Sequence, residues 1–379
     1  MSMRSPSAPV TTPAPRDTWK YLVESSHEAL AFHTSQWLDC ICEVSGGEDA
    51  SRLYHMQDGR QLVLPMVRRR RAGLVTSEAS LPYGWGFGGM IGERNTSAQD
   101  VDAVLSELSA RSTFSVSVKP NPVAAQPWID RVPPHFLALP RTAHVLDLSG
   151  GFEQTWSDKF VSRARTYVRK AERYSLAVES DTTGAFVPVF YDLYMRSVER
   201  WARQDNVPIL KARRRAAQQD PLHKFVVVAR RMKEACKIWV ARLDGRPAAA
   251  IIVLRQGANA SYWRGAMDED IAGESRANYL LHSKAIEDAC SNGCQWYHMG
   301  ETGTSTSLAQ FKTRFGSKPI NYFEYRIERL PISATREALL GAQRKLRARL
   351  SREDTSMSSK ASKLSVWPLT RPASVRQPA

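Results

Sequence analysis

Between Asp158 and Tyr174 the apolar residues Val161, Ala164, Val168 and Ala171 recur at three- and four-residue spacing. That period predicts a helix with one buried stripe. Arg165, Arg169 and Arg173 repeat every fourth residue on another face. One face of this helix can pack while another meets anions. Further helices are predicted from near Ser35, over Asp100–Ser109, from about Phe186 to Ala202, and from about Ala277 to Asn292 with Gly293 as C-cap. A short one ends at Phe311. Strands are predicted at Gln61–Val67, Phe114–Lys119, His144–Leu148, Lys237–Leu243, Ala248–Arg255, Ala260–Ala266, Trp296–Met299 and Asn321–Ile327. Asp244-Gly245 reads as the turn between two of them.

Six prolines lie between Pro120 and Arg141. They argue against a helix or an interior strand, so this segment reads as the connection between two lobes. The expected division is a Ser-, Pro- and Thr-rich tail (1–16), an N-terminal lobe (17–141), a C-terminal lobe (142–330) and a basic, largely disordered tail (331–379). Arg336–Arg352 within that tail is expected to be a basic helix. The order of elements in the second lobe indicates an α/β (α+β) fold. The 379 residues suffice for two cores without disulfide or metal staples. The five cysteines are scattered, lack zinc-site spacing and read as reduced thiols.

No apolar run approaches the roughly 18–20 residues of a membrane span, and no apolar signal region opens the sequence. A cytoplasmic protein is expected. The net charge of +15 favours anionic partners. From Pro331 onward there are ten basic and three acidic residues, yet the remaining chain is still basic. P-loop, dinucleotide, zinc-hydrolase and nucleophile-elbow motifs are absent from the sequence.

Four groups of residues remain as candidates. The stretch 272–289 is read as a small-residue loop holding Gly273 and Ser275, with a helix beginning near Asn278. Its free amides, with Arg276, would cradle donor phosphates, or it is simply a capped helix. Arg165 and Arg169 would add cations, or form a solvated face. At 297–319 a strand delivers Glu301, Thr302 and Thr304 to a loop, followed by Lys312; Glu301 would accept a proton from an attacking amine, or be an ordinary salt-bridged residue. Tyr262 and Arg264 stand at another strand end and would line the same cleft, while His298 reads as a packed histidine.

The run from Thr142 to Glu179, with Ser162-Arg163 leading to Val168-Arg169-Lys170-Ala171, resembles the strand–helix signature of Fem-type aminoacyl and acyl transferases of the GNAT superfamily. NYLLHSKAIEDACSNGCQWYHMG followed by SLAQFKTRFGSKP (278–319) resembles their second signature. The resemblance implies two GNAT-like lobes, each a mixed sheet flanked by helices, with a cleft between them. It implies acyl transfer to an amine. The co-substrate would be aminoacyl-tRNA or acyl-CoA, with no permanently bound cofactor and no metal. Catalysis would fall to Glu301, Tyr262 and Lys312, donor binding to Gly273, Ser275, Arg276, Asn278, Arg165 and Arg169, and acceptor binding to Arg264, Thr302 and Thr304. The family's D-F-G-G motif stands here as His298-Met299-Gly300-Glu301, and the pyrophosphate-loop pattern is degenerate at 270–277. The basic surface favours a tRNA donor, with a cell-envelope precursor or peptide-like amine as acceptor. The alternatives are an acyl-CoA N-acyltransferase acting on a sugar or polysaccharide precursor, and a non-catalytic RNA or membrane-surface binder. Peripheral contact with the inner face of the membrane would run through the basic C-terminal tail.

Overall fold

In this computed structural model, which describes residues 9–71, 73–129 and 131–329, strand β1 (Val10–Thr11) pairs with a later strand and helix α1 (Arg16–Ser25) follows it. Regular structure therefore begins inside the stretch expected to be a tail. Helix α2 (Ser35–Ser45) is opened by the Thr34 hydroxyl, which accepts from the Trp37 amide, and ends at Gly46 with φ of 64°. Short strands β2 (Glu48–Asp49), β3 (Arg52–His55) and β4 (Gln61–Leu64) lead to the antiparallel pair β5 (Val67–Arg71) and β6 (Leu74–Ser80). Strand β7 (Ile91–Gly92), helix α3 (Ala98–Ala110) and strand β8 (Ser115–Val118) come next, α3 under a Ser97–Asp100 capping box. Helix α4 (Gln126–Ile129) precedes the long strand β9 (Leu137–Asp147).

The rest of the chain runs through helices α5 (Gly151–Gln154) and α6 (Ser162–Arg173), strand β10 (Ala177–Asp181) and helices α7 (Val187–Gln204), α8 (Ile209–Gln219) and α9 (Leu222–Met232). Strands β11 (Cys236–Leu243), β12 (Arg246–Gln256) and β13 (Asn259–Met267) form a meander. Helices α10 (Glu269–Ser275) and α11 (Ala277–Ser291), strand β14 (Trp296–Glu301), helix α12 (Thr306–Thr313) and strand β15 (Lys318–Glu328) complete it.

Among the described residues one eleven-stranded sheet runs β10-β11-β12-β13-β14-β9-β15-β8-β6-β5-β2, and β1, β3, β4 and β7 form a second sheet. The mixed α/β class expected from the element order is what the chain adopts. The two expected lobes share the large sheet, because β15 lies between β9 and β8. Each half contains one parallel pair joined across a helix: β6 with β8 across α3, and β13 with β14 across α11. Trp37 and Trp85 from the first half meet Trp263 from the second at ring distances of 5.1 and 6.2 Å.

Four expectations need correction. Pro140 sits inside β9, an interior strand of the large sheet. It is tolerated because β14 pairs only with Ala143–Asp147, so at Pro140 the strand is bonded on the β15 side alone. The helix expected from Asp158 starts at Ser162, after a π-type turn over Thr155–Lys159. Helices α8 and α9 were not anticipated; α8 buries only Ala216, so its apolar stripe is too thin to read. Residues 269–275 are helical, not a loop. The expected helix at Arg336–Arg352 lies outside the described residues.

Candidate functional site

Strands β13 and β14 pair in parallel over three residues only: Asn259 with Trp296, Ala260 with Tyr297, and Ser261 with His298. Each then bulges against its outer neighbour. In β13 the shift lies opposite Ile252 and Val253, leaving Trp263 as the extra residue. In β14 it lies between His298 and Gly300, leaving Met299 as the extra residue. A bulge bends its strand and adds twist. Two bulges at one level part the strands and open a gap at the centre of the sheet.

Lys312 fills part of that gap. It lies on the inner side of α12, is 2% exposed, and its Nζ donates to the carbonyls of Gly300 (2.9 Å) and Glu301 (2.8 Å). Burial draws its ammonium down to about 7, with the Glu301 carboxylate opposing. Gly300 has φ of 73°, and a Cβ placed on it would come 3.7 Å from the Tyr262 carbonyl oxygen and 4.0 Å from Lys312 Nζ. The Tyr262 main chain, Gly300 and the Lys312 ammonium thus share one small space. The Tyr262 ring lies edge-on to His282 at 4.7 Å, and its hydroxyl sits over the bare α-carbon of Gly265. Burial lifts the Tyr262 phenol to about 12 and pushes His282 down to about 3, Lys312 adding to the latter. Both are neutral near pH 7. His298 is likewise neutral, lowered to about 3 by burial, with Nε2 on Asn259 Oδ1 at 3.0 Å. It is the packed histidine expected.

Glu301 turns its side chain toward the other half of the molecule. Lys119 Nζ donates to Oε2 (3.1 Å), Tyr322 Oη donates to Oε1 (2.7 Å), and Arg141 Nε stands 4.0 Å away. Glu301, Lys119 and Arg141 border a cavity of about 240 Å³, whose lining also includes Glu78, Tyr83 and Glu324. Glu78 is fully buried beneath it, ion-paired with Arg52 and Arg68. Burial would raise its carboxyl, but the guanidiniums around it bring it below the ordinary range. The cavity therefore presents both signs of charge.

Its mouth is held from the second half of the chain. The Gly84 carbonyl accepts from Arg264 Nη2 (2.7 Å) and Lys224 Nζ (3.2 Å), and both cations bond Asp220. Lys224 is 1% exposed, lies 4.1 Å over the Trp85 ring, and is lowered by burial to about 8.

The structure thus brings the Lys312 ammonium to the main chain of Glu301 and near that of Tyr262, while the Glu301 carboxylate faces the cavity and the Tyr262 phenol is packed on His282 and Gly265 rather than lining a cleft. Arg264 braces the turn at the cavity mouth. Thr302 is buried, its amide donating to Thr142 O at 3.3 Å, and Thr304 is exposed on the following loop. The donor set is placed apart. Gly273 and Ser275 lie within α10, and the Ser275 hydroxyl donates to Ile271 O at 2.7 Å, so the small-residue loop expected there is absent. Arg276, with φ of 61°, joins α10 to α11 and stacks 4.7 Å over the Tyr167 ring. Asn278 Nδ2 meets Met267 Sδ at 2.7 Å. Arg165 donates to the carbonyls of Trp156, Ser157 and Phe160, closing the π-type turn, and Arg169 covers the Trp156 ring at 5.9 Å. Arg314 bonds the Tyr279 hydroxyl at 2.6 Å and lies 6.0 Å over Tyr167; with Arg163 it borders an open groove outside α12. Sequence reasoning missed Lys119, Arg141, Tyr322 and Lys224, which come from separate segments and share no spacing.

Residues 158–313 match the family model described as an acetyltransferase (GNAT) domain. The structure is similar to a crystal structure of FemX, with TM-score 0.61 at 10% identity over 84% of this chain and 97% of that one. It is also similar to a conserved protein of unknown function from Bacteroides thetaiotaomicron VPI-5482, with TM-score 0.52 at 9% identity over 84% and 98%. No curated protein sequence matches the chain. The strands parted at the centre of the sheet lie within the part of the chain that matches a GNAT acetyltransferase domain, and the fold over most of the chain is similar to that of FemX.

Proposed function

We propose that the protein transfers an aminoacyl group from aminoacyl-tRNA to an amine held in the cavity beside Glu301, the acceptor being a cell-envelope precursor or a peptide-like metabolite. The observation that carries this reading is the Lys312 ammonium lodged between the parted strands, bonded to the main chain of Glu301 itself. The acceptor nitrogen attacks the acyl carbon, and the ester C–O bond breaks. One proton leaves the nitrogen and ends on the departing hydroxyl oxygen. Lys312 in its charged form uses two of its three N–H donors on the two strand carbonyls; the third faces the charge that grows on the carbonyl oxygen, the kind of contact worth about 3–4 kcal/mol per well-placed donor. Glu301 is ion-paired to Lys119. It attracts the acceptor's ammonium, which first gives one proton to solvent; the free amine then attacks, and Glu301 takes the second proton as charge builds on nitrogen and passes it to the departing oxygen. The mixed charges of the cavity suit an acceptor that itself carries an amine and a carboxylate.

The segment after β13 supports the tRNA donor. Ser275 and Ala277 are fully buried, and the Arg276 and Tyr279 amides are bonded to Ala272 O and Arg276 O. Few backbone donors are left for a compact pyrophosphate. Cationic side chains, Arg163, Arg276 and Arg314, surround the place instead. An acyl-CoA donor is the second reading, favoured by the acetyltransferase description of the matched domain. Titration with charged and uncharged tRNA and with acetyl-CoA separates them. It should be run at physiological salt with excess unrelated RNA, because a +15 chain binds any polyanion at low salt. Competitor-resistant preference for charged tRNA is expected. Saturable CoA binding without it would replace this reading by the second, and binding of neither would support a non-catalytic role.

A further inference from the structure

The turn between α7 and α8 carries large apolar side chains that the described fold leaves uncovered. Trp201 is 42% exposed, Val207 38% and Leu210 81%. They are held near one another: the Asp205 amide donates to Trp201 O at 2.9 Å and the Val207 amide to Ala202 O at 2.8 Å. Asn206 turns the chain with φ of 53°. The helix after this turn buries Ala216 alone.

Around these residues the charge is one-sided. Between Glu199 and Arg215 there are six basic and two acidic residues. Glu199 is engaged by Arg203 (3.5 Å) and Arg213 (3.4 Å). Lys211, Arg214 and Arg215 are exposed and have no acidic partner among the described residues. Leu210 and Arg214 stand one turn apart on α8, so an apolar tip and a cation share a face.

We propose that this turn seats the protein on an anionic lipid bilayer, with Trp201, Val207 and Leu210 entering the interface and Lys211, Arg214 and Arg215 at the level of the lipid phosphates. An indole prefers the headgroup region, an aliphatic side chain the acyl boundary beneath it, and each nearby cation adds attraction to a negative leaflet. A nucleic acid would satisfy the cations but would leave Val207 and Leu210 facing water, since bases stack on aromatic rings rather than aliphatic chains. No described helix is long and apolar enough to cross a membrane, so the contact is peripheral. At the far end of α8, Asp220 bonds Lys224 and Arg264, the two residues that hold Gly84 at the cavity mouth. An eleven-residue helix is about 16 Å long. A seated tip therefore brings the mouth within about one helix length of the tip. The surface stands apart from the transfer chemistry, and its vesicle binding is measured without donor or acceptor.

The test is co-sedimentation of the full chain with vesicles of phosphatidylcholine alone and of phosphatidylcholine with phosphatidylglycerol, at physiological salt. Binding to the anionic vesicles is expected. Trp201→Ser with Leu210→Ser should weaken it about tenfold or more. The triple variant Lys211→Glu, Arg214→Glu, Arg215→Glu should remove the preference for phosphatidylglycerol. Lipids brominated along the acyl chain should quench tryptophan fluorescence, and Trp201→Phe should remove that quenching while binding persists. Circular dichroism and transfer to a soluble acceptor, both unchanged in the double serine variant, show that the fold is intact. Vesicle binding that survives the serine pair unaltered, with no Trp201-dependent quenching, overturns the proposal and assigns the attraction to other basic segments. Loss of tRNA binding in the triple variant with vesicle binding unchanged overturns it in favour of RNA.

Discussion

Lys312 Nζ donates to the Gly300 carbonyl oxygen at 2.9 Å, tying the inner side of α12 to β14 two residues beyond its last pair with β13. The ammonium is placed by backbone carbonyls alone and is lowered to about 7 mainly by burial. Because the folded value is lowered, the charged form destabilises the fold. That penalty is absent above the unfolded value near 10.5, grows as pH falls toward about 7, and is constant below it. Lys312→Met should therefore flatten the pH dependence of unfolding midpoints between about 7 and 10.5. If the cation stabilises the oxyanion, kcat should fall as pH rises through about 7, and Lys312→Arg should move that limb upward. Lys312→Met should cost about 10²–10³-fold in kcat.

Glu301 and Tyr322 make a second, separable test. Tyr322 donates to the carboxylate at 2.7 Å, and burial followed by the Glu301 charge raises its phenol well above the ordinary range. Tyr322→Phe removes one neutral donor and should cost less than about tenfold in kcat/KM. Glu301→Gln removes the charge that attracts the acceptor amine and should cost about 10²-fold or more. Steady-state kinetics with acceptor varied would check both; equal losses would show that Glu301 acts only by orienting Tyr322.

The parts of this site that were legible in the sequence share a reason. Glu301 and Lys312 stand eleven residues apart across one strand–loop–helix unit, so local periodicity carries both. Lys119, Arg141 and Tyr322 come from β8's end, β9 and β15 and meet only because β15 inserts between β8 and β9. No spacing encodes that. The donor loop was misread because Gly273 and Ser275 are small residues in a polar stretch, which turn chemistry and a capped helix use alike. The arginine stripe was correctly periodic, yet Arg165 spends its donors on three carbonyls of its own chain. Periodicity fixes the face, not the partner.

Lys224 should control the cavity mouth through stability as well as position. It is fully enclosed, with Asp220 at 2.6 Å and the Gly84 carbonyl at 3.2 Å. Lys224→Met leaves Asp220 buried with Arg264 and the Tyr194 hydroxyl, each at 3.2 Å. Breaking one side of such a buried pair costs about 3–5 kcal/mol, reduced here because Arg264 remains. Urea denaturation should show a loss of about 2–4 kcal/mol. Since the Leu81–Gly84 turn loses one of its two anchors, acceptor KM should rise more than kcat falls. An unchanged KM would show that the turn is held by Arg264 alone.

Gly265 and Gly300 differ in what a methyl group would meet. At Gly265 an added Cβ would lie 2.2 Å from the Tyr262 hydroxyl, so Gly265→Ala must swing the Tyr262 ring off His282. At Gly300 the nearest atom is 3.7 Å away, and the cost of Gly300→Ala is the positive φ, about 1–2 kcal/mol. Thermal unfolding should register both. Transfer should fall further in Gly265→Ala if the ring's position shapes the gap, and equally in both if only backbone order matters.

The donor reading turns on Arg276 and Arg314, which flank Tyr167 at 4.7 and 6.0 Å. Neither is bonded to Lys312 or to the carbonyls that hold it, so each acts on binding rather than on the developing charge. Arg276→Ala and Arg314→Ala should raise KM for the donor while kcat changes little, the pattern of an interaction equal in ground and transition states. If the donor is a nucleic acid, each variant should also reduce the slope of log affinity against log salt by about one. A compact pyrophosphate held at one point would give a KM effect with a salt slope much shallower than a nucleic acid's. Measuring the slope in wild type and in the two variants thus distinguishes the donors even where affinities coincide. A kcat loss with KM unchanged would place these arginines in the chemistry, and the gap would have to be redrawn toward Tyr167.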